Sequence, residues 1–230
     1  MFINRGTELD QLEKRFASAQ AELFVLYGRR RVGKTELLRT FCEGKPRIFF
    51  VATFSSDRDQ LMAFSQAVWG FSHADVPEGF TYPSWDAAFR DLAELPGRPI
   101  VVLDEFTYLI GGNKAIPSIL QKAWDELLQH TQIFLVLCGS YIGMMEKEVL
   151  GYQAGLYGRR TGTILLQPLS LPAAGLFFPN FSPLDIIEAW AVLGGMPFYL
   201  LAFADAEDLF SNIRQIVLNP QGLQIGRAHV

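Results

Sequence analysis

Leu23-Phe-Val-Leu-Tyr27 runs directly into Gly28-Arg-Arg-Arg-Val-Gly-Lys34-Thr35, and Glu36-Leu-Leu-Arg-Thr-Phe41 follows at once. The first stretch is the unbroken apolar run that a buried strand needs. The last spaces Leu37, Leu38 and Phe41 as one face of a helix. Between them stands G-x-x-x-x-G-K-T, a loop whose glycines let backbone N–H groups curl toward an anion at a helix N-terminus. In that strand–loop–helix setting Lys34 is placed to reach the β- and γ-phosphates of a nucleotide, and the Thr35 hydroxyl to ligate Mg²⁺. Gly28, Arg31, Val32, Gly33, Lys34, Thr35 and Glu36 are the candidate phosphate-cradling residues.

About seventy residues further on, Ile100-Val-Val-Leu103 runs into Asp104-Glu105. Four consecutive aliphatic residues suit a strand buried on both faces of a parallel sheet, whose C-terminal end opens on the ligand crevice. Asp104 is expected to hold Mg²⁺ through water, because that ion keeps much of its hydration shell. Glu105 is the candidate general base that polarises an attacking water. An acidic pair at a strand end also serves plain solvation. Its partnership with the glycine loop gives it the catalytic reading.

The 230 residues are 50% hydrophobic and include 19 Phe, which argues for a large packed core and against disorder. A net charge of −4 supplies no basic field for nucleic acid. Cys42 and Cys138 lie in apolar segments without metal-ligand spacing, as expected of buried thiols in a reducing compartment. The charged N-terminus does not read as a secretion signal. Ala189–Ala204 carries no charge, but it is short of the ~20 residues of a membrane span and is interrupted by Gly194, Gly195 and Pro197, so it is expected to form buried helices. A cytoplasmic location follows from these readings.

Strand and helix patterns alternate. Thr7 is expected to cap a helix bearing Leu9, Leu12, Phe16 and Ala19. Ile48–Ala52, Ile133–Ser140 and Thr163–Leu166 read as further strands. Helices are expected around Leu61–Val68, from Ser84 through Leu92, and over Ile116–Leu128. That alternation predicts an α/β fold, a parallel sheet of about five strands sandwiched by helices. After Pro168 the pattern turns helical over Leu184–Leu193, Phe198–Phe203 and Leu209–Val217. The expected organisation is a core over residues 1–167 and a small helical lid over 168–224.

Several stretches resemble the archaeal-type ATPase family, a member of the STAND branch of AAA+-like P-loop ATPases. They are Phe2-Ile-Asn-Arg-Gly-Thr-Glu8-Leu9, Tyr27–Thr35, Leu103-Asp-Glu-Phe106, Leu137-Cys-Gly-Ser140, Leu156-Tyr-Gly-Arg-Arg160 and Gly194-Gly-Met-Pro-Phe-Tyr-Leu200. The resemblance implies that Arg5 borders the adenine pocket, where otherwise it is a solvated arginine. It implies that Ser140 contacts the γ-phosphate or the lytic water, where otherwise it caps the next helix. Arg159 and Arg160 would offer an arginine finger, in cis or from a second copy, or else form a surface pair. Pro197 would pack near the base, or simply start a helix.

Two departures accompany the resemblance. Many relatives carry arginine where this chain has Ser140. Relatives also continue into a winged-helix domain, which is expected downstream of this sequence. Ile225-Gly-Arg-Ala-His-Val230 matches the translation of a common sequencing adapter, so residues 225–230 are expected to be a non-native tail. The implied activity is Mg²⁺-dependent binding and hydrolysis of ATP, with ADP as product, by a nucleotide-driven switch. The alternatives are a low-turnover nucleotide-binding regulatory module and a DNA-associated ATPase whose DNA contacts lie in the region downstream. Expected partners are ATP and either a second copy or another protein, with no membrane. A small-molecule kinase fits less well with the Asp104–Glu105 pair.

Overall fold

The structure is a computed structural model that describes residues 3–223. Phe2 and the stretch 225–230 discussed above lie outside the described residues. Contacts divide the chain into two compact units. The larger comprises Gly6–Arg29 and Lys34–Leu165. The smaller combines the chain up to Arg5, Arg30–Gly33, and the chain from Leu166 onward.

In the larger unit, α1 (Gly6–Ala17) precedes β1 (Glu22–Tyr27), α2 (Lys34–Phe41), β2 (Arg47–Val51), α3 (Asp57–Ser72) and α4 (Trp85–Ala93). Then come β3 (Ile100–Asp104), α5 (Phe106–Gly112), α6 (Ile116–Glu126), β4 (Phe134–Gly139), α7 (Ile142–Met145) and β5 (Gly162–Leu165). The strands form one five-stranded sheet in the order β2-β3-β4-β1-β5. Every pairing is parallel, with Leu26 opposite Cys138, Val25 opposite Thr163 and Val51 opposite Asp104.

Sequence and burial agree strand by strand. β1, β3 and β4 are the continuous apolar runs, and every residue in them is buried, as central strands covered on both faces require. β2, at the edge, is exposed at its ends and buried only at Ile48 and Phe50. On one face Phe64 packs on Phe50, Trp85 and Phe89 with ring centroids 5.3–5.8 Å apart. On the other, Phe41 meets Phe16 at 5.9 Å and Phe134 at 5.2 Å. Each such buried ring contributes roughly 1.5–3 kcal/mol of burial free energy.

Helix starts follow capping chemistry. Ser56 and Ser84 accept from the Asp59 and Ala87 amides at the heads of α3 and α4. Thr7 lies inside the first turn of α1 rather than capping it, and the helix ends at Ala17, before Ala19. α5 was not expected from sequence, and α7 only as the helix that Ser140 would otherwise cap. A π-helical turn, Glu146–Leu150, extends α7.

The smaller unit holds α8 (Leu171–Gly175), α9 (Pro183–Leu193), α10 (Pro197–Leu200), α11 (Leu209–Asn212) and a π-helical turn over Ile213–Val217. Ser182 and Asp185 form a reciprocal capping box at the start of α9, with Pro183 in the first turn. Gly194 ends the helix at φ +61°. The core is Leu169, Ala173, Phe178, Ala189, Leu193, Leu200 and Phe203 with their neighbours. Gly195 lets the chain return against residue 169. Its carbonyl accepts from the Leu169 amide at 2.6 Å, and an added Cβ would sit 1.8 Å from the Leu169 carbonyl oxygen. The apolar Ala189–Ala204 stretch is thus broken between α9 and α10. Among the described residues no helix is long and apolar enough to cross a membrane.

Candidate nucleotide-binding site

The parallel sheet delivers three strand ends to one side. β1 ends before Gly28, β3 ends on Asp104, and β4 ends before Ser140. The Gly28 amide donates to the Gly139 carbonyl at 3.3 Å, which ties the first and third of these ends together. β4 lies between β1 and β3, so Ser140 stands between the loop lysine and the acidic pair.

Lys34 opens α2 and is buried. Its ammonium donates to the Gly28 carbonyl at 2.9 Å, the Arg29 carbonyl at 3.0 Å and Ser140 Oγ at 2.9 Å. Ser140 Oγ in turn donates to Glu105 Oε1 at 2.7 Å. One hydroxyl therefore accepts from a cation and donates to a carboxylate, two charge-assisted bonds in series. Ser140 does not cap α7, which lacks a side-chain cap.

Glu105 adopts φ +53°, ψ +42°, a left-handed conformation that costs a side-chain-bearing residue on the order of 1–2 kcal/mol. That turn lifts its side chain out of the strand's alternation. Its amide is bonded to Asp104 Oδ1 at 2.9 Å. Asp104 itself is buried and accepts from the Thr35 hydroxyl on Oδ2 at 2.7 Å. Thr35 and Asp104 thus offer hard oxygen donors side by side. No group of three or more His, Cys, Asp or Glu gathers anywhere among the described residues. A hydroxyl and one carboxylate fit an ion that retains water ligands, as Mg²⁺ does, and would not fill the shell of a metal caged by protein alone.

Cys138 lies beneath this pair. Burial pushes its thiol well above the ordinary range, and the charge of Asp104 and a hydrogen bond to it add to the shift. At the end of β1, burial raises the Tyr27 phenol first, the Glu146 charge adds to it, and Arg160 opposes it. Arg160 is therefore felt one residue ahead of Gly28. Its guanidinium donates to the Leu150 carbonyl at 3.0 Å. Arg159 is more heavily engaged, donating to both Asp125 oxygens at 2.6 and 2.7 Å and to the Gly155 carbonyl at 2.9 Å.

Within the smaller unit, buried Arg5 donates to the Val32 carbonyl at 3.1 Å and the Gln167 carbonyl at 2.8 Å. Gly33 has φ +99°, open to glycine and strained for other residues, and a Cβ built there would lie 3.8 Å from Pro197 Cγ. Arg31 also carries a positive φ, +67°. Its guanidinium lies 4.4 Å from the Phe198 ring centroid. Sequence reasoning missed those aromatic partners, and no local signal points to a ring 167 residues away. Glu36 lies in the first turn of α2 and is itself exposed.

The profile of an ATPase domain predominantly from Archaea matches residues 2–203. The chain belongs to that family. This archaeal-type ATPase domain is 33% identical over 200 residues to Uncharacterized protein MJECL04 of Methanocaldococcus jannaschii, covering 87% of this chain and 43% of that protein. The domain thus spans less than half of that relative. Among solved structures it resembles the Walker-type ATPase Paby2304 of Pyrococcus abyssi, with TM-score 0.67, 25% identity, and coverage of 93% of this chain and 71% of that one. It also shares its fold with the Aeropyrum pernix Orc1 protein, solved in complex with DNA, with TM-score 0.55, 20% identity, and coverage of 83% and 50%. Fold and family agree with the P-loop architecture expected from sequence.

Proposed function

We propose that this domain binds ATP with Mg²⁺ and hydrolyses it to ADP and phosphate, using the change of bound nucleotide as a switch. The observation that carries the reading is the Lys34–Ser140–Glu105 chain of hydrogen bonds lying beside the Thr35–Asp104 pair. Lys34 would exchange its loop carbonyls for the β- and γ-phosphate oxygens, while the amides from Gly28 to Glu36 cradle the rest. Thr35 and Asp104 would hold Mg²⁺, which when bound draws charge from the phosphate oxygens. Glu105 would orient a water and take its proton as the water oxygen bonds to the γ-phosphorus and the bond to the bridging oxygen breaks. Ser140 would keep Glu105 aimed and sense the γ-phosphate.

Of the two arginines, Arg159 grips both Asp125 oxygens while Arg160 donates to the Leu150 carbonyl, so Arg160 would be the one to offer charge to the transition state. Arg159, bound to Asp125, would hold the preceding loop in shape. Arg5 and Pro197, beside Val32 and Gly33, would border the nucleotide's base. Two buried, unpaired cysteines fit a reducing compartment such as the cytoplasm. Output through a second copy, a protein partner or DNA is assigned to the longer protein of which such domains form part.

Steady-state turnover of MgATP by the parent, Lys34→Ala and Glu105→Gln tests the reading. Turnover in the parent, its loss in both variants, and ATP still bound by Glu105→Gln are expected. Parental turnover by Glu105→Gln would remove the base assignment. Tight binding without turnover in the parent would favour a regulatory module that holds nucleotide.

A further inference from the structure

The middle of the phosphate-binding loop, Arg30–Gly33, belongs to the same compact unit as Gly194–Leu200. Two contacts hold it there. Arg5 donates to the Val32 carbonyl, and Arg31 reaches the two residues after Pro197, beside which Gly33 runs closely enough that an added Cβ would lie 3.8 Å from the proline Cγ. The Arg31 guanidinium lies 4.4 Å from the Phe198 centroid and 5.6 Å from the Tyr199 centroid, and it donates to Tyr199 Oη at 3.3 Å. A planar, permanently charged group suits such stacking better than an ammonium does.

The backbone makes the arginine more telling. At φ +67° glycine would be relaxed and arginine is not. The position therefore carries a conformational cost that its side-chain contacts help to offset. A phosphate-facing role does not account for that, because the guanidinium is directed to the rings.

We propose that Arg31 is a positioning residue that, anchored on Phe198 and Tyr199, sets the path of residues 30–33 and so the direction in which their amides meet a phosphate. The inference rests on the reading of this loop as a nucleotide site. Loop shape and the Phe198–Tyr199 segment are then linked. Whatever displaces the aromatic pair changes nucleotide affinity, and bound nucleotide changes the pair by the same factor. An exposed contact of this kind is worth about two- to fivefold in an equilibrium constant.

The test compares the parent chain with Arg31→Gly, Phe198→Leu combined with Tyr199→Leu, and all three changes together. Calorimetric titration with ADP and Mg²⁺ gives Kd, and hydrogen exchange of residues 30–34 without nucleotide gives the state of the loop. Arg31→Gly and the aromatic pair are each expected to weaken ADP about two- to fivefold. The combination should be no worse than the weaker-binding of the two, because both remove one interaction. Exchange of residues 30–34 should quicken in both, and Arg31→Lys should fall between parent and Arg31→Gly. Additive losses, parental affinity in Arg31→Gly, or parental exchange in the aromatic variant would overturn the proposal. A contact serving stability alone would lower Tm and leave Kd unmoved. Should the aromatic double change unfold the chain, Tyr199→Phe, which removes only the hydroxyl, should weaken ADP about twofold, and no change would count against the proposal. Failure of the parent to bind nucleotide would defeat the nucleotide reading separately, and loop exchange would still decide whether Arg31 positions the loop.

Discussion

Ser140 donates its hydroxyl to Glu105 Oε1 at 2.7 Å, so the residue that follows β4 holds the carboxylate that follows β3. The bond compensates in part for the left-handed backbone at Glu105 by giving its side chain one favoured direction. Ser140→Ala is expected to lower kcat for ATP at least tenfold while nucleotide Kd stays within about threefold, since general bases contribute about 10²–10⁴ and depend on aim. Paired kcat and Kd measurements check this, and an unchanged kcat would mean Glu105 needs no such support.

Thr35→Ala and Asp104→Asn should each raise the Mg²⁺ concentration for half-maximal turnover by about tenfold or more, because each removes or neutralises one of two adjacent hard oxygens. Chelation with EDTA should abolish turnover in the parent, and added Mg²⁺ should restore it. Equal metal dependence in parent and variants would argue against this pair as the ligand set.

Gly195→Ala should destabilise the smaller unit by on the order of 3 kcal/mol, because its Cβ would meet backbone atoms of Leu169 that have no rotamer to yield. Gly143→Ala is the control. Nothing lies within 4 Å of its Cβ, and within α7 alanine is the better helix former by about 1 kcal/mol. Thermal unfolding of the two variants should move in opposite directions.

Both cysteines should resist thiol reagents in the folded chain. Burial pushes Cys42 up to about 11, with Arg47 and Lys45 opposing, and pushes Cys138 well above its ordinary value. The thiolate is the reactive form, so Ellman's reagent at pH 8 should react negligibly with native protein and with two thiols per chain in guanidinium. A raised folded value means the fold favours the protonated thiol. The corresponding stability is complete below pH 9, the ordinary thiol value, and is lost as pH rises through about 11. Rapid labelling at pH 8 would contradict this.

What the sequence made legible was local. Strand, glycine loop and helix around Lys34 sit within some twenty residues, and the aliphatic run before Asp104 announces its own burial. α5 was hidden because Phe106-Thr-Tyr-Leu-Ile-Gly-Gly is built of aromatic, β-branched and glycine residues and its preceding residue makes no side-chain cap. The bridge from Lys34 to Glu105 was hidden because it depends on β4 entering between β1 and β3, an order that no strand carries in its own residues. Arg31 read as a phosphate-cradling residue, and its rings lie in a segment whose own pattern carries no sign of an arginine partner.

The sheet order also bears on how the chain is made. β1 is synthesised before both of its neighbours, β4 and β5, which begin at Phe134 and Gly162. Synthesis at about 5–20 residues per second separates β1 from β4 by roughly 5–20 s. Throughout that interval the apolar run Leu23–Leu26 lacks the strands that flank it in the finished sheet. A nascent chain that ends before β5 cannot close the sheet around β1, and Arg31 awaits Phe198 and Tyr199 later still, so a chaperone would find its target in Leu23–Tyr27.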